Sequence, residues 1–219
     1  MRIDVNEVTK GKDAEILPAT TVTVQSEHVT FVRAETEQRP TVLGLIVAGR
    51  MKPSSGGVTI DGATAPKRLR RAVALIDAPE ISDPAPNVPV WRVVSEELMF
   101  ADRPSHPLAV RDALDELHLT AERRLDIAQL EPTARVRMLL ELASRRPGVE
   151  ALVLVSPDRH GGDPVEWWRV CRTFAARGYG VLVIAGYSSA TAINRLSGPD
   201  VSETVAADTV PLFQTGELS

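Results

Sequence analysis

The chain has 219 residues, 43% of them apolar, with 25 Lys and Arg against 29 Asp and Glu and a formal net charge of −4. That length and apolar content suit one domain, or a domain with a subdomain, and the acidic balance argues against a general binder of nucleic acid or of an anionic membrane surface. The single cysteine, Cys171, excludes an internal disulfide; no apolar run approaches the roughly 18 residues of a membrane span, and the opening MRIDVNEVTKGKDAE carries charges where a signal peptide needs an apolar stretch. A cytoplasmic protein without direct membrane insertion is expected.

Residues 19–32, ATTVTVQSEHVTFV, alternate polar and β-branched residues and predict one or two strands turning near Ser26 and Glu27, an antiparallel opening. TVLGLIVAGR follows Pro40 and suits a buried helix with proline in its first turn and Gly49 near its end. KPSSGG reads as a turn and VTIDG as a short strand. The basic run Lys67, Arg68, Arg70 and Arg71 reads as a solvated face before a strand. AVALID (72–77) is a continuous apolar run of the kind a strand buried on both faces requires, and the proline-rich APEISDPAPNVP after it is a loop. Val93, Val94, Leu98, Leu108, Ala113, Leu114 and Leu117 recur at helical spacing, and Val136, Leu139, Leu140 and Ala143 mark a further helix stopped by Pro147 and Gly148.

ALVLV (151–155), the helix PVEWWRVCRTFAARG and GVLVIAG (180–186) make a strand, helix, strand crossover in a parallel sheet. Cys171 falls among Trp168, Val170 and Phe174 and reads as a buried, inert thiol. Trp167 and Trp168 are adjacent, so one is expected in the core and the other as an interface anchor. A short helical piece over 189–196 leads to a last extended segment, ADTVPLFQTGEL. His28, His106, His118 and His160 show no metal-ligand spacing, so no metal site is expected, and His160 reads as a surface loop residue.

TVLGLIVAGRMKPSSGGVTIDG (41–62) resembles the segment of ABC-type ATPases that runs from the end of the phosphate loop through its helix to the "KPTSGEVxxDG" turn. ALVLVSPDRHGGDP (151–164) is similar to the Walker B strand and D-loop, and ADTVPLFQTGEL (207–218) to the closing strands. With Arg39 at the Walker lysine, Asp77 near the Q-loop, Leu130 near the signature, Val155 at the Walker B aspartate and Gly186 at the switch histidine, successive intervals are 38, 53, 25 and 31 residues, like the family's and in its order. The resemblance implies an α/β, P-loop NTPase core with an N-terminal antiparallel β subdomain and an inserted α-helical subdomain. One domain would cover 1–219, with the core and β subdomain in 1–77 and 148–219 and the helical subdomain in 86–147.

The chemistry of that family is not legible in these residues. A phosphate loop needs glycines that let backbone N–H groups face the phosphates, a lysine, and a hydroxyl for Mg²⁺. The aligned run Arg33 to Thr41 holds no glycine, has Glu35 and Glu37, and puts Arg39 and Pro40 where lysine and Ser/Thr belong. Val155 and Ser156 stand in place of the two Walker B carboxylates; Asp158, beyond the strand, is a displaced acid at best. Gly186 supplies no imidazole. The signature position holds Leu130, Glu131 and Pro132, where Glu131 would repel a partner's γ-phosphate, while Asp163 matches the D-loop aspartate in a loop one residue long for the pattern.

A pseudo-ATPase is therefore expected, with no catalytic residues, no metal and no bound ATP or Mg²⁺. It would be a regulatory or structural partner of a membrane permease or of a second ABC-type subunit, held at the inner face of the membrane through that partner. The resemblance places the permease groove at about Asp77 through Leu98, with Trp91 lining it. Two other readings stay open: a weak nucleotide-binding ATPase or sensor using Arg39, and a homodimeric scaffold.

Overall fold

The computed structural model describes residues 1–35, 38–197 and 203–204. The closing segment 207–218 and the loop residues Thr36 and Glu37 lie outside them.

Two sheets form. The smaller is antiparallel, ordered β2-β1-β4, from β1 (Arg2–Lys10), β2 (Leu17–Gln25) and β4 (Ser55–Ile60). Strand β1 lies in the charged opening segment, where no strand was expected. Its Ile3, Val5 and Val8 are buried, and the break in period between Val5 and Val8 is a register shift against both neighbours, which hides the alternation from a sequence reading. Gly56 sits at this irregularity with φ of +72°, and a Cβ there would come within 2.3 Å of the Glu7 carbonyl oxygen, so only glycine fits.

The larger sheet is parallel, ordered β5-β6-β7-β3-β8, from β3 (Val29–Arg33), β5 (Val73–Ile76), β6 (Ala151–Val155), β7 (Gly180–Ala185) and β8 (Glu203–Thr204). The expected antiparallel pairing within 19–32 is thereby corrected: β2 pairs with β1, while β3 crosses to lie beside β7. The bend between them is tied elsewhere, with Ser26 N–H donating to the Met1 carbonyl and Glu27 N–H to that of Tyr179. Phe31 and Val32 are buried on opposite faces, as a strand covered on both sides requires.

Alternation along the central strands divides the core. Leu152, Leu154, Val181 and Val183 face helices α3 (Val90–Phe100), α4 (Pro107–Glu116), α5 (Pro132–Ser144) and α6 (Pro164–Ala176). Ala151, Val153, Val155, Leu182 and Ile184 face α1 (Arg39–Val47), α2 (Pro66–Ala72) and the antiparallel sheet. Helix α1 lies close on β5 and β6 at Gly44, where a Cβ would stand 2.9 Å from Leu75 Cδ1 and 3.0 Å from Val155 Cγ2. A last helix, α7 (Tyr187–Ser197), follows β7.

Cys171 is fully buried and its thiol is pushed up to about 12 by desolvation, so it is an inert core residue. The two-sided reading of the tryptophans is corrected. Trp167 is fully buried and Trp168 is 5% exposed, because α6 is covered by α5 and α7 as well as by the sheet, and Trp168 packs edge-on against Phe31. No helix among the described residues is long and apolar enough to cross a membrane.

Candidate functional site

Strands β3, β6 and β7 end on one side of the sheet, the side on which open parallel sheets place their ligands. A cleft of about 1060 Å³ opens there, lined by Glu35, Gln38, Pro40, Thr41, Ser156 and Gly186 with the loop Pro79 to Ile81 and Asp158. The residues that the sequence resemblance puts at the phosphate-loop, Walker B and switch positions are thus brought together. Arg39 is half-buried at the first position of α1, and Pro40 takes its first turn. The Thr41 hydroxyl is buried without a hydrogen-bond partner among the described residues.

What fills the cleft walls differs from what a triphosphate needs. Val155 is fully buried on the α1 side of β6. Ser156 takes a left-handed φ of 48° and donates its N–H to the Ile184 carbonyl at 2.7 Å. Asp158 reaches back from the 3₁₀ turn Pro157–His160, accepting from Gly186 N–H at 2.8 Å and from Ser189 Oγ at 3.3 Å. Glu35 accepts from Tyr187 N–H. The N-terminus of α7, whose free N–H groups favour an anion, is occupied by two carboxylates of the chain itself.

The signature position repeats this arrangement. Glu131 caps α5, accepting from Thr133 N–H at 2.9 Å and Ala134 N–H at 2.7 Å, with Pro132 next to it in the first turn. Burial pushes the Glu131 carboxyl up, but the two N–H bonds outweigh it and hold it below its ordinary value. Leu130 is buried. Asp163 likewise caps α6 by accepting from Val165 N–H at 2.9 Å. Each of these positions has a local structural task.

Behind the cleft lies an ionic cluster that sequence reasoning missed. Asp77, at the end of β5 with φ of 57°, is 1% exposed, and Arg135 of α5 is 2% exposed. Arg135 Nη2 donates to Asp77 Oδ1 at 2.7 Å and to Asp83 Oδ1 at 3.2 Å. Arg159 Nη2 donates to Asp77 Oδ1 at 3.1 Å, and its Nη1 to Asp83 Oδ2 at 2.8 Å. His160 Nε2 lies 3.0 Å from Asp77 Oδ2, within ion-pair distance though outside hydrogen-bond geometry. Burial alone would raise the Asp77 carboxyl; His160 and Arg135 outweigh it and hold it at about 2.

Three sequence expectations are corrected here. His160 is half-buried and part of this cluster rather than a free surface loop residue. Asp77 does not line a docking groove, because its carboxylate is enclosed by arginines, and Leu98 is 3% exposed in the core beneath α3. Of the three groove residues only Trp91, at 44%, is exposed. Asp77, Asp83 and His160 bring three potential ligand atoms within 4.8 Å of one another, but Arg135 and Arg159 already neutralise both carboxylates, so the donor set does not suit a cation. The signal that could have found the cluster is weak: Asp77 ends an apolar strand, and Arg135 stands in the apolar stripe of α5.

No protein-family model matches the sequence, and neither does any curated protein. Solved structures match in fold. A nucleotide-free ATP-binding cassette from an ABC transporter superposes with a TM-score of 0.61 at 14% identity, covering 85% of this chain and 82% of the other. A putative ABC transporter ATP-binding protein from Pyrococcus furiosus gives 0.59 at 13% identity, over 85% and 92% of the two chains. CbiO1 from Clostridium perfringens, described as part of the ABC transporter complex cbiONQ, gives 0.58 at 16% identity, over 84% and 77%.

Proposed function

Starting from a chain that has the fold of ABC-transporter ATP-binding subunits, we propose that it is a pseudo-ATPase, a subunit that keeps the cassette shape to complete an assembly and does not hydrolyse ATP. One observation carries the reading. At α7 and at α5, the two helix N-termini where the resemblance puts the switch residue and the signature, the anion position is taken by the chain's own Asp158, Glu35 and Glu131. A phosphate arriving there meets carboxylates rather than free N–H groups, and Val155, where the resemblance puts the Walker B aspartate, is a buried apolar side chain that offers no ligand to Mg²⁺.

Titration of the full chain with Mg-ATP and with ADP is the test. No saturable binding and no phosphate release are expected. Micromolar binding abolished by Arg39→Ala would overturn the reading in favour of a weak nucleotide sensor. That second reading rests on the open cleft and on the unpartnered Thr41 hydroxyl in its wall.

The assembly partner is a membrane permease or a second cassette, which would hold the chain at the inner face of the membrane; one structural neighbour is itself described as part of a transporter complex. Trp91, a large aromatic at the start of α3 left partly open to solvent, is the anchor offered to it. Trp91→Ala is expected to release a co-purifying permease or cassette while leaving the melting temperature of the isolated chain unchanged. Retention of the partner by this variant would remove Trp91 from the interface.

A further inference from the structure

At the end of the sheet opposite the cleft, the last turns of several helices converge before β5 and β6. Arg50 follows α1, Arg70 and Arg71 end α2, Arg146 follows α5, and Phe100 ends α3; together they surround a concavity of about 340 Å³. We propose that this concavity is a binding site for a small phosphate-rich anion, distinct from the cleft.

Helix ends explain part of the arrangement, since the carbonyls there attract cations. Arg70 Nη1 donates to the Gly49 carbonyl at 3.0 Å and Arg50 Nη1 to that of Arg70 at 3.4 Å. Those bonds leave most of the five N–H groups of each guanidinium available. Carboxylates account for little more: Glu97 accepts from Arg146 Nη2 at 2.6 Å, and Asp102 lies in the rim. Four guanidiniums thus face two carboxylates in a chain whose net charge is −4.

Of the four, Arg146 is partly desolvated. Arg146 Nε is buried without a hydrogen-bond partner among the described residues. Burial, reinforced by the charges of Arg146 and Arg70, lowers the Arg50 guanidinium from its ordinary value, the direction expected where like charges are held together. The Arg71 stem lies against Gly148, where a Cβ would come within 2.9 Å of its Nε.

The chemistry selects the ligand. Planar guanidinium forks match phosphate oxygens in pairs, and several forks around one concavity favour an anion with more than one phosphate. Phe100, 66% exposed and covered on one side by the Arg146 guanidinium at 5.4 Å from its ring centroid, offers a flat apolar face at the rim for whatever carries the phosphates. A concave site of this size takes a metabolite-sized anion rather than a flat surface.

Isothermal titration of the full chain with sodium tripolyphosphate, with sodium sulfate at matched ionic strength as control, tests the site. Saturable binding is expected, weakened about tenfold or more by Arg71→Ala and by Arg70→Ala, less by Arg71→Lys, and unchanged by Thr41→Ala in the cleft. Both alanine variants alter exposed side chains and are expected to keep the parent's melting curve. Absence of saturable binding, or an equal loss in Thr41→Ala, would overturn the proposal. Phosphatidylcholine vesicles containing phosphatidic acid are expected not to capture the chain; capture that is lost in Arg71→Ala would replace the soluble ligand by a lipid headgroup.

Discussion

Asp77→Asn is expected to destabilise the fold by about 3 kcal/mol, read as a lower denaturant midpoint at pH 7 with an unchanged slope. Asparagine has nearly the same shape and tolerates the left-handed φ of 57°, so the change removes charge and little else. It leaves Arg135 buried with only the more exposed Asp83 to balance it, a loss of the kind that costs about 3–5 kcal/mol.

An independent argument converges on the same size. The Asp77 carboxyl is held at about 2, below its ordinary 3.8, so its ionised form is bound more tightly by the folded chain than by the unfolded one. A depressed carboxyl contributes stability that is complete above the unfolded value and drains away as pH falls from there through the folded value; here the gap corresponds to about 2–3 kcal/mol. The parent chain should therefore lose stability between about pH 4 and pH 2, and Asp77→Asn should lack that part of the acid transition. Combining Asp77→Asn with Arg135→Met is expected to cost less than the two changes added, because neither then leaves the other's charge buried. An asparagine variant that costs under about 1 kcal/mol and keeps the acid transition would show that the cluster is not the stabilising element argued for it.

Val155→Asp, the substitution that would restore a carboxylate at the Walker B position, is expected to cost about 3–5 kcal/mol or to abolish folding. Val155 is fully buried, its methyls rest on the face where α1 approaches at Gly44, and it belongs to the apolar core cluster on that side of the sheet. A carboxylate placed there would lose its hydration among these side chains. Chemical denaturation of the soluble variant, or its recovery from inclusion bodies, reads the effect. A Val155→Asp protein of parental stability that gained Mg-ATP binding would show that the site lies one substitution from competence, against the proposed pseudo-ATPase.

Features set by local pattern were legible in the sequence. The apolar runs of β5, β6 and β7 announce strands covered on both faces, and the proline and glycine punctuation places α1, α5 and α6 within a residue or two. What pairs with what was not. Strand β3 is adjacent in sequence to β2 and looks like its hairpin partner, yet its hydrogen bonds go to β7, about 150 residues later. Leu98 and Trp168 carry the same helical period whether their face meets solvent, a partner or another helix; only the packing of α3 and α6 decides. The candidate site divides in the same way. The residue types at Arg39, Val155, Ser156 and Gly186 can be read one by one, whereas the carboxylates at the N-terminus of α7 depend on Asp158 and Glu35 reaching it from other elements.

The ionic cluster also bears on how the chain is made. Asp77 and Asp83 leave the ribosome well before Arg135, and Arg159 and His160 come later still. Until α5 and the turn after β6 have docked, the end of β5 carries a carboxylate that must stay hydrated, which opposes early burial of that edge of the sheet. Because its members come from such distant parts of the chain, the cluster cannot form by local search and closes only once the parallel sheet has assembled around it. Its charges are therefore expected to oppose burial of that edge of β5 until their partners have docked.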